Sequence, residues 1–156
     1  MIEELLFREI TKTPNDILSI FPKREWWKNV TRIAPSPTGF LDIWAIYSTL
    51  LDNIVARKND WILFLRIEDT DQKREVEGVW EKYVELLSKF GFKFNEWPIW
   101  LNLSDVGNYW PYIQSKREEI YKVFIKDIVK RWLAYPCFLS EEEISSIREI
   151  QEASKV

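Results

Sequence analysis

Two short stretches of this sequence carry residues that could do chemistry, and each follows a β-prone run. The turn Pro35 to Gly39 precedes a helical pattern, so it would present backbone N–H groups at a helix N-terminus. The unpaired donors and the helix dipole favour an anionic phosphate there. The second stretch, residues 68–71, ends its run in carboxylates. An ordinary strand-to-helix turn and an acidic helix entry are the structural alternatives.

The segments around these stretches predict one βαβ unit. Val30 to Ala34 suits a buried strand, which the prolines and Gly39 then end because proline fixes φ and lacks a donor. Apolar residues at helical spacing follow from Leu41 to Val55, and Trp61 to Ile67 is again apolar and β-prone. In such sheets a ligand lies at the carboxyl ends of the strands. Both stretches therefore fall where a site is expected.

Further elements follow along the chain. We predict a helix from about Asp69 to Gly91, a loop over 92–109, a helix from about Ser115 to Arg131, a short strand from Leu133 to Phe138, and a last helix opened by a capping box of Ser140 and Glu143. In that last helix, Ile144 and Ile147 are expected to face inward.

Composition is typical of a globular chain. It has 156 residues, 46% of them hydrophobic and 30% charged, and no run reaches the roughly 18–20 apolar residues of a membrane span. The single cysteine excludes an internal disulfide and makes the reducing, cytoplasmic compartment the default. The net charge of −3 means that nucleic-acid binding would need a local basic patch.

Four blocks of the sequence resemble the amino-terminal half of the catalytic domain of glutamyl-tRNA synthetases, which are class I aminoacyl-tRNA synthetases. The blocks are V-T-R-I-A-P-S-P-T-G-F-L-x-I, F-L-R-I-E-D-T-D, G-N-Y-W-P-Y-I-Q-S-K-R-x-E-I-Y-K and L-A-Y-P-C-F. They stand in the family's order and spacing between Val30 and about Gln151. Any one block is a weak signal, and four in register make a chance match improbable.

The resemblance implies a fold and a domain organisation. The fold class is α/β, namely the first half of a doubly wound, Rossmann-like nucleotide-binding domain with an α-rich insertion. Residues 1–29 would form an amino-terminal extension, 30–106 the first βαβ part of the catalytic domain, and 107–156 the start of the insertion that binds the acceptor end of tRNA.

The same resemblance implies roles for residues at the two stretches. Arg32, Ala34 and Ser36 would line a glutamate pocket, with Arg32 paired to the substrate's side-chain carboxylate because a guanidinium fork fits a carboxylate. Glu68 would hold the α-ammonium group. The positions implied to contact ATP are Pro35, Ser36, Thr38, Gly39, Asp42, Trp44 and Ala45.

Positions 42–45 depart from the family's pattern. A His-Ile-Gly-His-type signature is expected there, whereas this chain has Asp42-Ile43-Trp44-Ala45 and no histidine anywhere. A carboxylate at ~4 Å from a phosphate, with an effective dielectric near 20, costs about 4 kcal/mol, on the order of a thousandfold in rate. The indole of Trp44 would fill space that glycine leaves for the nucleotide. Asp42 and Ala45 are therefore degenerate catalytic positions.

The resemblance also implies partners. Lys116 and Arg117 would meet the phosphates of the tRNA acceptor end, with a solvated helix face as the alternative. Glutamate, tRNA(Glu) and ATP with Mg²⁺ as its substrate complex are the expected ligands. No zinc is expected, since Cys137 has the pattern of a packed core thiol and Leu139 replaces the second cysteine of the C-x-C that some relatives carry.

Tryptophan is unusually frequent and glycine unusually rare. The chain has nine Trp and four Gly, whereas a glycine usage of about 7% predicts roughly eleven. Six tryptophans stand where the family pattern has glycine: Trp26, Trp44, Trp61, Trp97, Trp110 and Trp132. We hypothesise that these codons are read as glycine in the source organism. Genuine tryptophan in a drifting, inactive copy is the alternative.

The activity implied by the resemblance is ATP-dependent attachment of glutamate to its tRNA. The α-carboxylate would attack the α-phosphate of ATP, giving glutamyl-adenylate and pyrophosphate, and the acyl group would pass to the 3′ end of the tRNA. We expect this chain to be an amino-terminal fragment that is inactive alone, because the family's Lys-Met-Ser-Lys-Ser-type loop belongs to a second half. A catalytically dead paralogue that binds tRNA or amino acid, and a non-functional truncated reading frame, are the alternatives.

Overall fold

The structure is a computed structural model that describes residues 2–99 and 105–154, so residues 100–104 of the predicted loop lie outside the described part. In chain order the elements are α1 (Ile2–Leu6), α2 (Pro14–Ile20), β1 (Val30–Ile33), α3 (Ile43–Lys58), β2 (Ile62–Leu65), α4 (Val79–Lys89), a 3-10 turn (Ser115–Arg117), α5 (Glu118–Lys130) and α6 (Glu141–Ser154). Within the described residues, no helix has the length and apolar character that crossing a membrane requires.

The predicted βαβ unit is confirmed. Strands β1 and β2 pair in parallel with Arg32 opposite Phe64, and α3 makes the crossover that parallel neighbours need. Pairing continues beyond the two strands, because the Leu65 N–H donates to the Glu96 carbonyl at 2.9 Å. The Ile67 N–H likewise donates to the Tyr112 carbonyl at 2.9 Å. Segments far apart in sequence thus extend the edge of β2.

Side chains alternate along β2 and the three paired residues that follow it, which gives an apolar and a polar face. Leu63, Leu65 and Ile67 are buried in a cluster with residues of α3 and α4. On the opposite face, Arg66 and Glu68 are half-buried. Because successive side chains of a strand point to opposite faces, the same strand anchors the core and presents charges at its carboxyl end.

The helix predicted from Asp69 begins instead at Val79, so the predicted start is wrong. The Asp69 carboxylate accepts hydrogen bonds from the backbone N–H of Ser115 at 2.8 Å and from its hydroxyl at 2.5 Å. Asp69 therefore caps the 3-10 turn rather than its own following segment. The Val76 N–H donates to the Pro37 carbonyl at 2.8 Å, which ties this irregular stretch to the turn after β1.

The ends of three helices share one backbone arrangement with different residues at the left-handed position. After α4 this residue is Gly91 with φ +80°, after α3 it is Asp60 with φ +52°, and after α5 it is Trp132 with φ +57°. Glycine is the usual residue there because it has no Cβ to clash. Of the six tryptophans in the glycine hypothesis, all of which are described, only Trp132 has this backbone conformation. Trp61 follows the left-handed Asp60 and packs on the core.

The amino-terminal helices α1 and α2 pack mainly on α5. Ile10 and Ile17 form a buried cluster with Val123. The Lys126 ammonium donates to the carbonyl of Ile10 at 2.9 Å and forms an ion pair with Glu4 at 3.0 Å. The two short helices thus depend on α5 for burial, which agrees with the general rule that short helices draw their stability from tertiary packing.

The region after α5 corrects three expectations. Residues 133–139 have no strand pairing, so the predicted strand is wrong; Pro136 lacks an N–H and no described strand pairs with this segment. Cys137 is exposed rather than packed in a core. The capping box is confirmed, since the Glu143 N–H donates to the Ser140 hydroxyl at 3.2 Å. Ile147, however, is 43% exposed, because no described element covers that face of α6.

Candidate functional site

Arg32 and Glu68 meet at the carboxyl ends of the two parallel strands. Nη1 of Arg32 lies 2.9 Å from Oε1 of Glu68. A second arginine, Arg66, approaches the same oxygen with its Nη2 at 2.8 Å. Two cations therefore face one carboxylate, and the group carries a net positive charge.

The backbone brings this charged group against the turn after β1. The Arg66 N–H donates to the Ile33 carbonyl at 2.9 Å, and the Glu68 N–H donates to the Pro35 carbonyl at 3.0 Å. Parallel pairing therefore continues beyond the last residue of each strand. As a result, Glu68 lies beside the turn that the sequence assigned to the nucleotide.

The acceptors of Glu68 are only half used. Both arginines donate to Oε1, and among the described residues no hydrogen bond reaches Oε2. The side chains of Arg32 and Glu68 are 43% and 27% exposed, so both are open to a ligand. A free carboxylate oxygen next to an exposed guanidinium can bind an ammonium group and a carboxylate of the same small molecule.

Tyr83 of α4 binds the turn through hydrogen bonds to its backbone. The Tyr83 hydroxyl donates to the Gly39 carbonyl and lies 3.1 Å from the Ser36 carbonyl. Burial raises the pKa of Tyr83 above its ordinary value, which already keeps the hydroxyl protonated as a donor at neutral pH. Around it, Ala34, Pro35 and Thr38 are half-buried and Ser36 is exposed.

Asp42 acts as the N-cap of α3. Its Oδ1 accepts a hydrogen bond from the Ala45 N–H at 2.8 Å, which satisfies one of the free donors at the helix start. That donor is one that a phosphate would otherwise use. Trp44 is 71% exposed and contacts Tyr47 edge-on at 6.3 Å between ring centroids. The degenerate signature thus gives an ordinary capped helix start.

The two basic residues assigned to tRNA differ in their surroundings. Lys116 is exposed, whereas Arg117 is half-buried and donates through Nη1 to the carbonyls of Tyr109 at 3.0 Å and Pro111 at 2.8 Å. Arg117 therefore holds the loop before the 3-10 turn. Both residues lie on the segment after the loop. Among the described residues, no hydrogen bond joins either of them to Arg32 or Glu68.

Sequence reasoning missed two residues of this site, Arg66 and Tyr83. A signal for Arg66 existed, because a residue two positions before Glu68 lies on the same face of a strand. Its neighbours Leu65 and Ile67 already indicated the buried face. Tyr83 had no such signal, since its contact with the turn spans 44 residues of sequence.

The chain matches the family model described as tRNA synthetases class I (E and Q), catalytic domain, over residues 28–156. The structure agrees with this description, because it contains a parallel βαβ unit with charged residues at the carboxyl ends of its strands, where such folds bind ligands. The chain therefore belongs to the class I tRNA synthetase family of the E and Q type.

Individual relatives agree with this assignment. The chain is 43% identical to the glutamate–tRNA ligase of Clostridium perfringens and 42% identical to that of Acetivibrio thermocellus, in each case over 99% of this chain and 29% of the relative. The crystal structure of the glutamate-tRNA synthetase from Elizabethkingia anophelis superposes with a TM-score of 0.68 at 36% identity, over 82% of this chain and 25% of that one. The chain thus spans under a third of the length of these relatives.

Proposed function

We propose that this chain forms the glutamate-binding part of an ATP-dependent glutamate–tRNA ligase. The observation that carries the proposal is the contact of Arg32 with Glu68 at 2.9 Å across neighbouring strand ends, beside the Pro35 to Gly39 turn. The relatives' names support it, and so does a structural neighbour, from Elizabethkingia meningosepticum at 36% identity, that is described as a complex with its amino acid.

In this proposal each charged group has one task. Arg32 binds the side-chain carboxylate of L-glutamate, and Glu68 binds the α-ammonium group, leaving the α-carboxylate free to attack the α-phosphate of ATP. Ala34 and Ser36 line the pocket, while the turn with Thr38 and Gly39 faces the nucleotide, which arrives as its Mg²⁺ complex. The acyl group then passes to tRNA, with exposed Lys116 as a phosphate contact, in the cytoplasm.

Calorimetric titration of the folded chain tests the proposal. We expect L-glutamate to bind and L-glutamine to bind at least about tenfold more weakly, because only glutamate offers Arg32 a charged partner. Arg32→Gln and Glu68→Gln are each expected to abolish measurable binding. Arg74→Gln is the matched control, since Arg74 is 74% exposed and pairs with Asp71 outside the site. A folded wild-type chain that does not bind glutamate would refute the proposal.

A second candidate function is an amino-acid-binding module that does not activate its ligand. The Asp42 cap favours it, because the carboxylate occupies a donor at the start of α3 and would repel a phosphate. The two functions differ in glutamate-dependent exchange of pyrophosphate into ATP. The ligase predicts exchange once the chain is joined to the second half of the catalytic domain, whereas the module predicts glutamate binding without exchange in either form.

A further inference from the structure

The glutamate site contains an arginine that the proposed ligand contacts do not use. Arg66 has a side chain that is 18% exposed, against 43% for Arg32, although both donate to Oε1 of Glu68 at nearly the same distance. The Nε of Arg66 is buried and has no hydrogen-bond partner. An unpartnered buried donor is destabilising. Arg66 thus carries a cost at Nε beside its bond to Glu68, and such local costs are typical of functional positions.

The two arginines differ in their freedom to move. Arg32 is open to solvent and can turn its guanidinium towards the carboxylate of a ligand. Arg66 is largely buried, and its burial holds the guanidinium against Glu68. When a ligand recruits Arg32, the Glu68 carboxylate still has one cation at Oε1, and Oε2 remains free to accept from an ammonium group.

A single arginine would not achieve this. With Arg32 alone, Glu68 would compete with the ligand's carboxylate for the same guanidinium. Once Arg32 bound the ligand, the Glu68 carboxylate would have no remaining ion-pair partner. The second arginine removes that competition, because its bond to Glu68 does not depend on the ligand. It also gives the site a net positive charge, which complements a ligand with two carboxylates and one ammonium group.

We infer that Arg66 is a positioning residue that holds Glu68 ready for the ammonium group of the substrate amino acid. This inference rests on the proposed function and names a residue to which that function assigns no role. Arg66 acts through Glu68 and does not touch the substrate. Its loss should therefore weaken ligands that carry an amine more than ligands that lack one.

Binding of L-glutamate and of glutarate to the full 156-residue chain tests this inference. Glutarate has the same two carboxylates as glutamate, at the same spacing, but no ammonium group. Arg66→Gln is expected to weaken L-glutamate about tenfold or more, the range for one charge-assisted hydrogen bond, and to weaken glutarate at least about fivefold less. The ratio of the dissociation constant of glutarate to that of L-glutamate therefore falls at least about fivefold.

Two further variants keep the experiment decisive. Arg66→Lys retains the cation and is expected to recover most of the affinity for L-glutamate, which also covers the case in which Arg66→Gln folds poorly. Arg74→Gln, in the exposed pair with Asp71, should change neither ligand. Circular dichroism melting of each variant establishes that it is folded.

Three outcomes would overturn the inference. Equal weakening of L-glutamate and glutarate by Arg66→Gln would show a merely structural role, and no weakening of either would show no role. A further contrary result is that Arg66→Lys binds L-glutamate no better than Arg66→Gln when both are folded. Failure of the folded wild-type chain to bind L-glutamate is a distinct result, because it refutes the proposed function without using any variant.

Discussion

Two arginine–glutamate ion pairs in this chain have nearly the same length but different surroundings. Arg24 reaches both oxygens of Glu96 at 2.8 and 2.9 Å, and the Tyr112 hydroxyl adds a third hydrogen bond at 2.6 Å. The Glu96 side chain is 7% exposed. In the other pair, Arg32 and Glu68, one carboxylate oxygen has no described partner and both side chains are accessible.

The difference lies in how completely each carboxylate is satisfied. Glu96 has donors on both oxygens and no space for another molecule, so it can only join the segments that supply them. Glu68 has an unused acceptor at the end of a strand, so it can bind a ligand. Ion-pair distance alone would not separate these roles, whereas burial and unused acceptors do.

The largest expected effect is the loss of stability on breaking the buried pair. Glu96→Gln removes one charge from a group that also contains Arg24 and Tyr112, and it should lower the free energy of unfolding by about 3 kcal/mol. Urea denaturation followed by fluorescence measures this. Arg32→Gln, which breaks the exposed pair, is the control. A loss below about 1 kcal/mol for Glu96→Gln would contradict the comparison.

The buried pair should also make stability depend on alkaline pH. Burial, together with the hydrogen bond to Glu96, raises the pKa of Tyr112 well above its ordinary value. The unfolded chain therefore releases this proton near pH 10 while the folded chain keeps it. The contribution of Tyr112 to stability is present below about pH 10 and declines as pH rises further, by up to ~1.4 kcal/mol per pH unit.

Denaturation at several pH values above neutrality measures this decline. Tyr112→Phe should flatten it, because phenylalanine has no proton to release. Tyr135→Phe serves as the control at a tyrosine that is 83% exposed, and it should leave the slope unchanged. Equal slopes in wild type and Tyr112→Phe would argue against the buried pair as the source.

Asp42 is intermediate between the saturated Glu96 and the partly free Glu68, because one of its oxygens caps α3. Asp42→Ala should lower the free energy of unfolding by about 1 kcal/mol through loss of the cap. Asp42→Asn keeps a capping side chain and removes the charge, so stability should stay within about 0.5 kcal/mol. Thermal denaturation compares the two variants. If Asp42→Asn destabilises as much as Asp42→Ala, the charge rather than the cap matters.

The smallest expected effect on stability is at the exposed pair. Arg32→Gln should change the free energy of unfolding by less than about 1 kcal/mol, since accessible ion pairs contribute little. The same variant is expected to lose glutamate binding. Urea denaturation and calorimetry of one preparation measure both properties. A large loss of stability with binding intact would reverse the roles given to the two pairs.

Gly107 shows how tightly the buried pair is packed. A Cβ built at this position would lie 2.4 Å from the Tyr112 hydroxyl and 2.6 Å from Cγ of Glu96, and the residue has φ +118°. Both the space and the backbone conformation therefore require glycine there. This glycine remains in a chain that has only four.

The codon hypothesis gains structural support at one position. Trp132 follows α5 with φ +57° and is 82% exposed, so its indole gains little burial in return for an unfavourable backbone conformation. Trp61 and Trp97, by contrast, pack against the core. The nucleotide sequence of codon 132 tests the hypothesis, because UGG there would exclude it and UGA would support it.

Local patterns predicted much of the fold. The βαβ unit, α5 and the capping box of α6 were visible because periodicity, proline and capping side chains act within a few residues. The start of α4 was not, because Asp69 forms its hydrogen bonds with Ser115 instead of with the residues that follow it. Cys137 was misassigned for a related reason, since an apolar run does not reveal whether another element covers it.

The sequence by itself therefore determined the βαβ unit and the later helices α5 and α6, and it placed Arg32 and Glu68 at neighbouring strand ends. Only the tertiary structure decided which carboxylate is saturated and which is free. The donors of Glu96 include Arg24, which is 72 residues away, and those of Glu68 include an arginine whose burial no local pattern reveals. Contacts between residues far apart in sequence form only when the chain folds, and those contacts separate the structural ion pair from the binding one.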